Sequence, residues 1–514
     1  MNAESRIAIN TGSRYAAQAI AMAVGFFLTP FLVGKLGAGL LGLQVLASDV
    51  LQFSLLFSSA LSLGYSRYAM VSYVKGDFAR MNLLLGRGVA VTAMVALPSL
   101  LAVVLAAVFA QALFGLPADV VRLGRKVILL SGAITILGLV TSVWNAAVFM
   151  TERFYIQSVA SVMGTLLSAA GAVALFSFTR PSITAWVLLS GGTGLLVTWF
   201  FTIPWACRGL PQLKIVPYFG KLNETSPMLR LSLASFLGGL SYLLYYATDS
   251  IIISNLEGLG PAKIFTYSVG QRWDPMIRGV LVAFATTLQP AMIALVAARQ
   301  NNGIRRMLFR ATRYCMLAGL LPCLLLAAFS DPFIRCWVGP SFVQESGPVL
   351  RWLMIGVVFS IPTIVGYEIL VAMACLREMV VASLIGGVLN IVLSIFLAKY
   401  AGMGVLGVAL GTMIALTLKN TLYMPWLVSS KLGISLFDYT AATYVRPLCC
   451  LVPASLLAVA FRLGAEPEGW PMLMMQMGVC AVVYGVSVWT VGLTREDRDK
   501  IYGSFWRILK RASR

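Results

Sequence analysis

Residues 380–418 read VVASLIGGVLNIVLSIFLAKYAGMGVLGVALGTMIALTL, and the only charged side chain among them is Lys399. A helix needs about 20 residues, at a rise of 1.5 Å each, to cross a hydrocarbon core roughly 30 Å thick. Followed to its ends, the stretch holds two such runs, 379–399 and 404–429, joined by a short connection. Backbone N–H and C=O groups find no water inside a bilayer, so each run must satisfy them internally as a helix. Reading outward on both sides adds runs near 11–33, 41–65, 85–113, 126–149, 155–178, 183–206, 229–254, 264–290, 306–330, 348–373, 442–463 and 471–493. The predicted fold is therefore an all-α polytopic membrane protein with about fourteen transmembrane helices. An outer-membrane barrel is excluded, because its strands would alternate in hydropathy over about ten residues. No cleavable signal peptide is expected: residues 1–14 are largely polar, and the apolar run from Tyr15 has the length of a span.

The rest of the composition agrees. Of 514 residues 59% are hydrophobic and 11% charged, with a mean hydropathy of +0.87; soluble chains carry about 25% charged residues. There is no histidine, which excludes imidazole bases, imidazole metal ligands and Ser-His-Asp triads. The cysteines, Cys207, Cys315, Cys323, Cys336, Cys375, Cys449, Cys450 and Cys480, show no CxxC spacing and mostly sit in apolar runs. They read as small buried hydrophobes rather than a disulfide framework or a metal site. No catalytic residue, metal site or cofactor is expected.

The formal charge of +20 would suggest a nucleic-acid partner in a soluble chain. Here its placement decides. Fourteen spans put both termini on one side, and that side collects 25 basic residues against 10 on the other. The positive-inside rule then places both termini in the cytoplasm, and the charge is a topology signal rather than a nucleic-acid patch. The longest polar internal connection, 207–228, contains Pro211, Pro217 and Pro227. It divides an N-terminal lobe of six spans (1–206) from a C-terminal lobe of six (229–430), followed by two extra spans (431–493) and a basic tail (494–514). Leu36-Gly37 before span 2 and Leu259-Gly260 before span 8 hint at an internal repeat. In the tail, Thr494, Glu496 and Asp497 suit a helix start, and Ile501, Phe505, Ile508 and Leu509 fall on one face. That is an amphipathic helix on the inner leaflet, or a basic tail that only enforces topology. No outer loop exceeds about 20 residues, which leaves little room for a catalytic domain, so the chain is not expected to be an enzyme.

Ionisable groups inside spans are expensive and therefore candidates for function. Span 8 holds Gln271, Arg272, Asp274 and Arg278 around Pro275. Asp274 and Arg278 are four apart and share a face with Gln271, and Pro275 kinks the helix. Arginine binds phosphate bidentately and keeps its charge, so Arg272, Arg278 and Gln271 suit a cavity for a diphosphate or another acidic headgroup. The alternative is a structural Arg-Asp pair. Lys419 in span 12, Arg67 at the end of span 2 and Arg14 in span 1 are further candidates for the same headgroup; Lys419 also has the reach to snorkel, and Arg14 suits an anchor. Asp274, Asp249, Glu368 and Asp49 are candidates for ion or proton coupling, with helix-helix hydrogen bonding or ion pairing as the competing role.

Four stretches carry a resemblance over nearly the whole chain: NTGSRYAAQAIAMAVGFFLTPFLVGKLGAGLLGL (10–43), SLGYSRYAMVSYVKGD (62–77), YYATDSIIISNLEGLGPAKIFTYSVG (245–270) and LIGGVLNIVLSIFLAKYAGMGVLGVALGT (384–412). In these the chain resembles the polysaccharide flippases of the Wzx type, in the multidrug/oligosaccharidyl-lipid/polysaccharide (MOP) exporter superfamily. The resemblance implies two six-helix lobes around a central cavity plus two C-terminal helices, in a bacterial inner membrane. It implies movement of an undecaprenyl-diphosphate-linked oligosaccharide from the cytoplasmic to the periplasmic leaflet by alternating access, coupled to an H+ or Na+ gradient, for O-antigen, lipopolysaccharide or exopolysaccharide synthesis. Expected partners are the lipid-linked oligosaccharide, membrane lipids and polysaccharide polymerase or assembly proteins. Alternatives are a lipid II flippase, a cation-coupled multidrug exporter of the same superfamily or, from another class, a membrane glycan polymerase or transferase.

Overall fold

The computed structural model describes residues 3–218, 226–256, 259–464 and 466–499. Among them there are helices, turns and bends but no strand. Twelve helices are long and apolar enough to cross a bilayer, and a bent pair forms one more. The longest, Ala3–Val74, contains two of the expected spans, because Gly37 at φ 77°, ψ 163° interrupts the helical backbone between them. Unbroken, it would extend about 100 Å, roughly three times the hydrocarbon thickness. That backbone region belongs essentially to glycine. The later spans are Phe78–Val108, Ala118–Met150, Tyr155–Phe178 and Ile183–Gly209 (spans 3 to 6). Next come Ser226–Ser254 (span 7) and Pro261–Thr287 with Gln289–Ala297, bent by 42° (span 8). Asn301–Ala328, Pro340–Ala372, Leu376–Tyr400, Gly404–Leu432, Leu436–Gly464 and Trp470–Gly492 complete the set (spans 9 to 14). All fourteen apolar runs thus lie in helix.

Prolines shape several of these helices. A proline ring crowds the carbonyl four residues back and cannot donate a hydrogen bond. Widening the preceding turn relieves both problems. Five-residue π turns at Thr198–Thr202, Lys419–Tyr423 and Ala441–Val445 each end two residues before a proline, at Pro204, Pro425 and Pro447.

Contacts group the chain into two compact units, Met1–Thr266 with Ser394–Gly404, and Tyr267–Leu393 with Val405–Arg514. In the first unit, Leu61, Tyr65 and Ala69 of span 2 pack with Met81 and Leu85 of span 3 and with Ala146, Ala147 and Ala206. Span 7 joins this unit because it packs on span 2, with Phe236, Leu240, Leu243 and Ala247 around Leu56. A side chain at Gly239 would run into Leu56. The contact boundary at Thr266 therefore falls after span 7, whereas the polar connection 207–228 precedes it. That connection is no free tether over residues 210–218. The Asn82 amide donates to Gln212 O (2.8 Å) and accepts from Lys214 N–H (2.9 Å), and Tyr218 N–H donates to Gly86 O (3.1 Å).

The second unit is built on spans 9 and 10. Gly319 lets Leu281 and Ile361 come close enough that a Cβ there would lie 2.8 and 2.7 Å from them. Spans 13 and 14 are bonded into the same unit. Tyr484 OH donates to Leu317 O (2.8 Å), Tyr439 OH to Pro362 O (3.2 Å) and Tyr444 OH to Phe359 O (2.8 Å). At the other end of span 13, Asp331 bridges Arg351 and Arg462.

Candidate functional site

Arg272 separates the helices Pro261–Gln271 and Trp273–Thr287. The break follows from Pro275, whose ring crowds the carbonyl of Gln271, four residues back. Beyond it, the Asp274 carboxylate, 1% exposed, pairs with Arg278 Nε one turn on. The Arg278 guanidinium also donates to Ser360 Oγ of span 10 (3.3 Å). The same oxygen accepts from the Asn420 amide of span 12 (2.8 Å), while its own O–H donates to Gly356 O (2.9 Å). Gly356 explains how spans 10 and 12 meet: a Cβ there would lie 2.9 Å from Met413. Lys419 precedes Asn420 on the same π turn. Gln271 donates to Tyr267 OH (3.4 Å), and Arg272 is exposed.

The second unit therefore joins the Arg278–Asp274 pair of span 8 to Ser360 of span 10 and Asn420 of span 12, with Lys419 as the residue before Asn420. Such a group can hold a polyanion, with the planar guanidinium offering a fork and the ammonium a point charge. Glu368, eight residues after Ser360, is buried on span 10 and makes no hydrogen bond or ion pair among the described residues. The remaining candidates lie in the first unit. Asp49 accepts from Ser250 Oγ of span 7 and from Gln52 Nε2 (2.9 Å), tying span 2 to span 7. Asp249, next to Ser250, is fully buried; Arg14 and Arg67 are exposed. No cluster of His, Cys, Asp or Glu able to hold a metal occurs among the described residues.

Sequence reasoning passed over Ser360 and Asn420, which are uncharged. The available signal was Pro362 and Pro425, each within five residues of one of them. The tail begins as expected. Residues 495–499 are helical, and Thr494 and Asp497 cap each other, Asp497 N–H donating to Thr494 Oγ1 (3.2 Å) and Thr494 N–H to Asp497 Oδ2 (3.2 Å). Asp497 is clasped by Arg310 (2.6 Å), Arg313 (2.8 Å) and Tyr314 OH (2.6 Å). Burial pushes its carboxyl up, but hydrogen bonds from Thr494, Tyr314 and Arg310 outweigh this and hold it well below the usual carboxylate range. The expected apolar face at Ile501, Phe505, Ile508 and Leu509 lies outside the described residues.

Residues 234–396 match the MatE family model. That stretch begins in span 7 and ends in span 11, and it contains Asp249, Arg272, Asp274, Arg278, Ser360 and Glu368. Over 506 residues the chain is 24% identical to the membrane protein EpsK of Bacillus subtilis (strain 168), covering 97% of this chain and 98% of that protein. The lipid II flippase MurJ in an inward closed conformation superposes with a TM-score of 0.68 at 15% identity, covering 92% of this chain and 97% of that one. An inward-facing multidrug resistance MATE family transporter of the MOP superfamily superposes at 0.66 with 14% identity, covering 85% and 99%. The chain is thus a multi-pass membrane protein whose residues 234–396 match the MatE model and whose fold is that of the MurJ and MATE structures.

Proposed function

We propose that this protein is a flippase that carries a polyprenyl-diphosphate-linked oligosaccharide from the cytoplasmic to the periplasmic leaflet of a bacterial inner membrane, by alternating access, for surface polysaccharide synthesis. The observation that carries the reading is Arg278, paired with Asp274 and joined through Ser360 to Asn420, the neighbour of Lys419 on a second span of the same unit. Cationic side chains inside a membrane protein are costly, and a diphosphate headgroup is an anion that offsets that cost during transport. Arg272, Gln271, Arg67 and Arg14 are assigned to the headgroup path. Coupling to H+ or Na+ is assigned to Asp249, Glu368 or Asp49; Asp274, already paired with Arg278, serves better as a counter-charge. Both termini are assigned to the cytoplasm, and the protein is read as a transporter rather than an enzyme.

The test is complementation of a bacterial strain lacking its own polysaccharide flippase. Wild-type protein should restore surface polysaccharide, and the double variant Arg278→Ala/Lys419→Ala should not, at equal amounts of folded protein in the membrane. Restored polysaccharide in that variant would refute the anion site. The likeness to the lipid II flippase MurJ favours a second reading, in which the headgroup is that of lipid II. Rescue of a strain depleted of its lipid II flippase, without rescue of polysaccharide, selects that reading instead.

A further inference from the structure

We infer that Ser360 and Asn420 are positioning residues that set Arg278 so that its guanidinium and the Lys419 ammonium receive the two phosphate groups of a diphosphate together. The inference rests on the anion site proposed above and goes on to say what shapes it. A free arginine side chain spreads over many rotamers, and ordering it carries an entropic cost. In this site two of the three guanidinium nitrogens have fixed partners. Nε faces Asp274, which is itself buried, and one terminal nitrogen donates to Ser360 Oγ. These two contacts define the plane of the fork.

Ser360 serves that purpose only if its own hydroxyl is fixed, and it is. Its oxygen accepts from Arg278 and from Asn420, and its proton goes to Gly356 O. The backbone on both sides of it is held as well, since Tyr444 OH donates to Phe359 O and Tyr439 OH to Pro362 O. Asn420 in turn comes from the π turn Lys419–Tyr423, which ends two residues before Pro425 on span 12. That turn presents Asn420 to Ser360 and carries Lys419 as the adjacent residue. One backbone irregularity therefore supplies both the second cation and the group that fixes the first. A single phosphate is satisfied by the arginine fork alone. A fork and a point charge on different helices match two linked phosphates, so the arrangement discriminates diphosphate from monophosphate.

The experiment is calorimetric titration of the purified full-length protein with inorganic pyrophosphate and, separately, with orthophosphate. The variants are Ser360→Thr, which keeps the hydroxyl, Ser360→Val, which has nearly the same shape without it, and Asn420→Leu. Wild-type protein and S360T should bind pyrophosphate more tightly than orthophosphate. S360V and N420L should lose roughly tenfold in pyrophosphate affinity, the scale of one hydrogen bond to a charged group, and much less for orthophosphate, so that the preference collapses. Equal losses in S360T and S360V, or unchanged pyrophosphate binding in a folded N420L, would overturn the positioning role. N420L decides alone if neither Ser360 variant folds. Wild-type protein that binds no pyrophosphate would instead overturn the anion site itself, which keeps the two failures apart.

Discussion

At the residue scale, the close approaches and the unusual backbone positions make the sharpest demands. Gly42 lies against the main-chain carbonyl of Pro261, where any Cβ would overlap a backbone atom that cannot swing away. Gly42→Ala should therefore leave little monodisperse protein on size-exclusion chromatography; a well-folded variant would show that the two segments have room to part. Ala374 makes the opposite demand. It holds φ 60°, a region where a Cβ costs roughly 1–2 kcal/mol. The hydrogen bonds Ala374 N–H to Val371 O and Cys375 N–H to Leu370 O close a Schellman turn, whose left-handed position favours glycine. Ala374→Gly should raise stability by about 1 kcal/mol, read as a higher thermal unfolding midpoint. Asp497 supplies a pH test. Its carboxyl is held below its usual range in the folded chain, so it contributes stability above the unfolded value of 3.8 and loses it as pH falls through the lower folded value. Asp497→Asn should be less stable than wild type at pH 7, and the gap should narrow at acid pH in denaturation curves.

At the element scale, the apolar runs were fully legible in the sequence, because span length is set by bilayer thickness and each run had to satisfy its own backbone. The break in span 8 was legible too, since Pro275 sits one turn after Arg272. What the reading passed over was the π geometry of the turns that precede Pro204, Pro425 and Pro447. A π turn shifts the faces of a helix by about one residue, so hydropathy periodicity cannot register where Lys419 and Asn420 point. The site partners stayed hidden for a related reason. Ser360 and Asn420 are 60 residues apart and meet only because Gly356 lets two helices touch. Removing the proline tests whether the irregularity serves the site. Pro425→Ala restores the missing donor, and span 12 should then settle toward a regular helix. Its thermal unfolding midpoint should not fall, while pyrophosphate affinity should drop roughly tenfold as Lys419 and Asn420 rotate away from Arg278. Unchanged affinity would separate the π turn from anion binding.

At the scale of the whole molecule, two facts bear on how the spans are organised. The turn between spans 4 and 5 and the turn between spans 10 and 11 have the same form, each with a non-glycine residue at positive φ, Glu152 at 54° and Ala374 at 60°. In both, consecutive N–H groups reach back across the helix end, from Glu152 to Phe149 and Arg153 to Val148, and from Ala374 to Val371 and Cys375 to Leu370. The same turn form closes the helices at Gly76 and Arg299, so it is a recurrent way of ending spans in this chain, and at Glu152, Arg299 and Ala374 residue type hid it because glycine is absent. The second fact concerns spans 13 and 14, which read from the sequence as additions outside the repeat. They are bonded to span 10 through Tyr439 and Tyr444 and to span 9 through Tyr484, and Arg310 and Arg313 of span 9 grip Asp497 just beyond span 14. If these contacts make the last spans part of the second unit, a chain ending at residue 430 should not behave as a shorter version of the same protein. Its loss exposes the carbonyls of Phe359 and Pro362 that flank Ser360, so both stability and the anion site should suffer. The fragment 1–430 should unfold at a clearly lower temperature than the full chain and bind no pyrophosphate. Tyr444→Phe in the full chain, which removes one hydroxyl and keeps the ring, should weaken pyrophosphate binding with only a small change in unfolding temperature. A fragment that matches the full chain in both measurements would show that the last two spans are passengers, and that span 10 holds Ser360 in place unaided.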